Sequence, residues 1–130
     1  MAKAPTLVDL TALVDEYVTA YNDSDFATLE KLIAEDIHLI HRNRGVDITA
    51  RAGVLESFRQ FGELLPDRAY HDRRAVDQID DHTVVVRHSW AGTASVDIPG
   101  FGSAGERVGF DLASFLTFRD GQIVEWEDYG

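Results

Sequence analysis

The 130-residue sequence predicts an α+β fold in which three N-terminal helices pack on a curved, antiparallel or mixed sheet around one pocket. Two observations predict it. Apolar residues in the first half recur at helical spacing, whereas from Tyr70 onward the chain turns to long runs of strand-forming residues. Those runs are broken by turn pairs, Asp80-Asp81 and Asp120-Gly121, and by a Gly-rich stretch through Pro99-Gly100-Phe101-Gly102. Helices followed by strands argue for α+β, and long curved strands laid over a helix leave a hollow between the two layers.

Each element follows from local pattern. Leu7, Leu10, Leu13, Val14, Tyr17, Val18 and Tyr21 form one apolar stripe, with Thr6 as N-cap and Asp9 three residues on. Asn22-Asp23-Ser24-Asp25 breaks that helix and caps a second, whose stripe is Phe26, Leu29, Leu32 and Ile33. A short strand follows over Ile37 to Arg42. The third helix takes Thr49 as its cap, presents Val54, Leu55, Phe58 and Phe61 inward, and ends at Pro66. Strands are expected over 70–79, 83–94, 106–118 and 122–129.

Composition bounds the function. A mass of 14.5 kDa suits one domain over 1–130, and 45% apolar with 27% charged residues is ordinary for a folded globule. The net charge of -11 repels phosphate backbones and anionic membranes. The absence of cysteine removes disulfides and thiolate chemistry. The N-terminus lacks the apolar core of a signal peptide and no stretch reaches membrane-span length, so a cytoplasmic location is expected.

The last hairpin decides which side chains enter the hollow. A plain two-residue turn at Asp120-Gly121 would put Trp126 and Asp128 on the face of Asp111, Ala113, Phe115 and Thr117. A type I turn at Arg119-Asp120 with Gly121 as a left-handed bulge puts them instead with Phe110, Leu112, Ser114 and Leu116. The second register is preferred, because it gathers Phe110, Leu112, Leu116, Val124 and Trp126 on one face and leaves Asp111, Arg119, Glu125 and Glu127 on the other. Asp128 then borders an apolar face, where desolvation raises a carboxyl pKa towards the range of acid–base catalysis.

In the strand after the second helix, Ile37, Leu39, His41 and Asn43 alternate away from His38, Ile40 and Arg42. His41 can exchange a proton near neutral pH and Asn43 can orient a water or carbonyl. In 83–94, Val85, Arg87, Ser89 and Ala91 oppose Val84, Val86, His88 and Trp90, and apolarity does not decide which set faces inward. If Arg87 is inward it needs a carboxylate partner, which Asp128 could supply.

These residues carry a resemblance. The order of elements, Ala34-Glu35-Asp36-Ile37-His38-Leu39, and the ending from Phe118 to Tyr129 resemble the nuclear-transport-factor-2-like (NTF2-like) superfamily, within it the SnoaL-like polyketide cyclases and limonene-1,2-epoxide hydrolase. The resemblance implies a cone-shaped fold with one internal pocket. It implies that Asp128, in a Trp-x-Asp-Tyr ending with Trp126, is the base, and that His41 and Asn43 stand where the hydrolase has its water-holding Tyr-x-Asn pair. His41 also falls where ketosteroid-isomerase-like members place their proton-abstracting Asp. Arg87 matches the arginine of an Arg-x-Asp pair, but Ser89 replaces the acid that would protonate an epoxide.

The reading is a cofactor-independent enzyme doing cyclisation, isomerisation or water activation on a hydrophobic oxygenated substrate. Asp128 is the base, His41 the proton partner, and Asn43 and Arg87 the positioning groups. Trp126, Phe110, Leu112, Leu116, Ser114, Ser89 and Tyr21 line the pocket. A ligand-binding domain without chemistry, or an epoxide hydrolase with an altered acid, are the alternatives. No metal is expected, since His38 and His41 point to opposite faces of a strand. The outer strand faces, with His88 and Trp90 among them if Arg87 is inward, suggest a homodimer.

Overall fold

The structure is a computed structural model that describes residues 9–130. In chain order it comprises α1 (Thr11–Asn22), α2 (Phe26–Leu32), β1 (Ile33–His41), β2 (Val46–Thr49), α3 (Arg51–Leu64), β3 (Ala69–Gln78), β4 (Thr83–Thr93), β5 (Arg107–Arg119) and β6 (Gln122–Tyr129). The expected three helices and four long strands are present, the strand ends within a residue of their expected positions. Thr6 and Leu7, expected to open the first helix, lie outside the described residues. In α2 the cap is Asp25, which accepts from Thr28 N at 3.2 Å and from Thr28 Oγ1 at 2.7 Å.

Two boundaries differ from expectation. Ile33 leaves α2 and opens β1, because its backbone is already extended, and a bulge between Ile33 and His38 then carries the strand past Asp36. Thr49 does not cap α3: it ends β2, an edge strand of four residues, and the helix starts from Ala50 without a side-chain cap. The sheet is mixed, in the order β2-β1-β6-β5-β4-β3, and β1 runs parallel to β6.

The last hairpin combines features of both registers weighed above. Asp120 and Gly121 both have positive φ, 52° and 79°, and Arg119 pairs with Gln122, so the turn is a two-residue type I′ loop whose twist suits the flanking strands. A bulge then follows, since Thr117 pairs with Glu125 while Phe118 pairs with Ile123. Val124 is the extra residue and is displaced from the inner face, and Ile123 takes the buried place expected for it. Beyond the bulge Leu116 pairs with Trp126 and Ser114 with Asp128, so both key side chains face inward.

The core lies between the helices and the concave face of the sheet. Val14 and Tyr17 of α1, Leu29 of α2 and Val54 of α3 meet Ile37, Val84, Val86, Leu116, Ile123 and Trp126, all nearly inaccessible to solvent. Trp126 is the largest of them, with the edge of Tyr17 at 4.7 Å and Phe58 at 5.9 Å. Burial of an aromatic of this size is among the largest single contributions a core receives.

Candidate active site

The open end of the cone holds a cavity of about 520 Å³. Its walls are aromatic and come from every layer: Tyr21 of α1, Phe58 and Phe61 of α3, Tyr70 of β3, Trp90 of β4, Phe110 of β5 and Trp126 of β6. The β4–β5 connection closes one side through Ile98, Pro99, Gly100 and Phe101. Against this wall stand the polar groups His41, Asn43, Arg44 and Asp128.

Asp128 is 6% exposed. Its Oδ1 accepts from Ser114 Oγ at 2.6 Å and from Trp126 Nε1 at 2.7 Å. Both bonds fall on one oxygen, which leaves Oδ2 to meet a ligand. Burial raises the Asp128 pKa above the usual carboxylate value, and the bonds from Ser114 and Trp126 and the nearby His41 only partly oppose it.

His41 is the β1 partner of Asp128 across the parallel ladder, so the two side chains share the cavity side of neighbouring strands. Its Nε2 is buried without a hydrogen-bond partner among the described residues, and its ring lies 5.8 Å from that of Phe110. Asn43 is exposed at the rim, its amide donating to Gly130 O at 3.4 Å. His38 points the other way, to Asp47 at 2.7 Å, as strand alternation requires.

Behind Asp128 lies a buried chain that the sequence reading did not find. Ser114 Oγ is 2.9 Å from His88 Nε2, and the His88 ring stacks on Tyr70 at 4.5 Å and 4°. Since the Ser114 proton goes to Asp128, His88 must donate from Nε2. Burial, with Arg73, Arg74 and His71 nearby, brings the His88 pKa down to about 4 and keeps the ring neutral. Tyr21 Oη accepts from Trp90 Nε1 at 2.9 Å and burial raises its pKa, so the phenol keeps its proton and can donate it to a ligand oxygen.

Five expected residues thus line the cavity with Asp128 and His41: Asn43, Trp126, Phe110, Leu112 and Tyr21. Ser114 and Leu116 face the same way but lie behind the wall, Ser114 bonded to Asp128 and Leu116 packed in the core. Arg87 and Ser89 do not reach the cavity. The buried set of β4 is Val84, Val86, His88 and Trp90, which turns Arg87 outward into solvent and points Ser89 Oγ at Asp111 and Arg74 on the outer side. Arg87 is therefore not a positioning group for Asp128, and His88 and Trp90 belong to the inside rather than to an outer dimer face. The alternation in β4 was visible, but valines on both sides hid its direction; the pairing of His88 with Leu112 and of Ser89 with Asp111 settles it.

Three helices with a six-stranded mixed sheet make the NTF2-like fold, also called ketosteroid isomerase-like. Residues 14–126 match the SnoaL-like domain, and the chain belongs to that family. No curated protein matches the chain. Among solved structures it is similar to a candidate polyketide cyclase from Xanthomonas campestris (24% identity, TM-score 0.80, covering 92% of this chain and 88% of that one). It is also similar to a candidate polyketide cyclase from Pseudomonas putida (21%, 0.81, 95% and 92%). A third relative is a protein of ketosteroid isomerase-like fold from Catenulispora acidiphila in complex with trimethylamine (15%, 0.74, 96% and 87%). Likeness at these identities shows the fold. Among the described residues no helix is long and apolar enough to cross a membrane.

Proposed function

We infer that the chain is an acid–base enzyme that removes a proton from carbon next to a carbonyl in a hydrophobic substrate, the step that opens a cyclisation or an isomerisation. The observation that carries this reading is the Asp128 carboxylate: buried, raised in pKa, tied down at Oδ1 and free at Oδ2. Asp128 Oδ2 takes the proton and becomes a carboxylic acid, while the C–H pair becomes the enolate. Tyr21 Oη donates to the enolate oxygen. The enolate carbon then attacks a second carbonyl in a cyclisation, or is reprotonated one position along in an isomerisation, and the proton returns from Asp128 in either case. His41, on the strand beside Asp128, is the partner that steadies the carboxylate and passes a proton at the cavity side. The similarity to candidate polyketide cyclases supports the same class.

Epoxide hydrolysis is less well supported, because Ser89, which stands where that reaction's acid would be, points away from the cavity. The test is exchange of the α-protons of 2-tetralone with deuterium oxide, followed by NMR. Wild type should exceed the buffer rate, and Asp128→Asn should lose about 10²- to 10⁴-fold of that acceleration. His41→Ala should lose less. Equal exchange in wild type and Asp128→Asn, or none above buffer, would leave the pocket a binding site without this chemistry.

A further inference from the structure

The geometry points to Arg44 as an anion anchor at the cavity mouth, and so to a planar, mostly apolar substrate that carries a carboxylate. Arg44 sits in the turn between β1 and β2, its backbone N–H bonded to His41 O at 3.1 Å and the turn closed by Gly45 at φ 67°. The residue is thus built onto the strand end that carries the imidazole. It is the one Lys or Arg among the described residues that line the cavity.

With 23 acidic against 12 basic residues, six of the twelve cations are in ion pairs among the described residues: Arg42, Arg59, Arg73, Arg74, Arg107 and Arg119. Arg44 joins none of these. Its guanidinium carbon lies over the Phe110 ring, 4.0 Å from the centre, and the guanidinium N–H groups have no hydrogen-bond partner among the described residues. A guanidinium held over a ring with its N–H groups unpaired can offer the fork that binds a carboxylate through two parallel hydrogen bonds.

The same ring directs the rest of the ligand. Phe110 stacks on Trp90 at 5.2 Å and 19° and lies 5.8 Å from His41, so the cation, the aromatic stack and the imidazole are neighbours through one side chain. A planar body laid along this stack has its acid group at Arg44 and its other end towards His41 and Asp128. Anchoring the acid group at the mouth also keeps a like charge away from Asp128.

This rests on the acid–base reading only for which end of the molecule reacts. The test is binding of 2-naphthoate and of methyl 2-naphthoate, followed by quenching of the cavity tryptophans Trp90 and Trp126. Wild type should bind the acid about five-fold or more tighter than the ester, the worth of a charged hydrogen-bonded contact at a partly open site. Arg44→Gln should bind both alike with ester affinity unchanged, which shows the pocket intact, and Arg44→Lys should keep part of the preference. Equal binding of acid and ester by wild type, preference retained in Arg44→Gln, or no binding of either at millimolar concentration would overturn the assignment. The preference should survive in Asp128→Asn. Loss of the preference in Arg44→Gln together with undiminished exchange in Asp128→Asn would sink the base and leave the anchor standing.

Discussion

Two serine–aspartate pairs sit on opposite faces of the same sheet, and the sheet treats them in opposite ways. On the inner face Ser114 donates to Asp128 at 2.6 Å; on the outer face Ser89 donates to Asp111 at 2.7 Å. Asp111 is exposed, and its serine bond and Arg74 hold its pKa below the usual carboxylate value. Asp128 has a second donor in Trp126, yet its pKa is raised. More hydrogen bonds accompany the higher pKa, so solvent access rather than the number of donors sets the direction. The inner pair is poised to take a proton, and the outer pair ends on a solvated carboxylate.

The largest effect that would break this contrast is on packing. Trp126→Ala removes a side chain that is 1% exposed, opens a cavity beside Tyr17 and Phe58 and deprives Asp128 of a donor. It should cost about 3–5 kcal/mol in urea unfolding. Phe115→Ala, on the outer face at 37% exposure, should cost less than about 1 kcal/mol. Similar losses at the two positions would mean that the faces are not the unlike environments described.

A second effect acts on the inner face through pH. His88 titrates at about 4 in the fold against 6.5 in the unfolded chain, so between these values the unfolded chain binds more protons. The contribution is present above pH 6.5 and is lost as pH falls through 4. Asp128 acts in the opposite sense: its raised pKa means that the fold holds the proton longer, and stability declines as pH climbs from 3.8. Thermal melts from pH 7 to 4 should show a falling midpoint for wild type and a flatter curve for His88→Gln, which keeps an N–H donor. An equally steep fall in the variant would place the acid sensitivity elsewhere.

The inner face was partly legible in the sequence, and the reasons for the misses are physical. Asp128 and His41 could be placed because Leu39 and Trp126 give their strands an unambiguous apolar side. The turn was misread because Asp-Gly supports two loop types, and the bulge at Val124 that restores the register leaves no composition cue. Arg87 and Ser89 were misplaced because β4 is buried on both sides near its middle, where Ser89 and Ala91 are covered as well as His88 and Trp90. The His88–Ser114–Asp128 chain spans three strands and depends on register across two ladders, which period-2 reasoning within one strand does not reach. β2 is short and half exposed, so it lacks the apolar run that marks a strand.

The smallest expected effect is also the sharpest test, because it compares like with like. Ser114→Ala and Ser89→Ala each delete one hydroxyl that donates to a carboxylate. At Asp128 the bond opposes a desolvation that remains when the hydroxyl is gone, so the pKa should climb further, and the variant should lose about 1–3 kcal/mol because His88 Nε2 also loses its acceptor in a buried setting. At Asp111 water replaces the hydroxyl, so the pKa should relax upward towards 3.8 and stability should change by no more than about 0.5 kcal/mol. Carbon-detected NMR titration of the two carboxylates reads both shifts in the same sample. If Ser114→Ala left the Asp128 titration where it was, the serine would be packing and not tuning, and the buried chain behind the carboxylate would have no part in setting its reactivity.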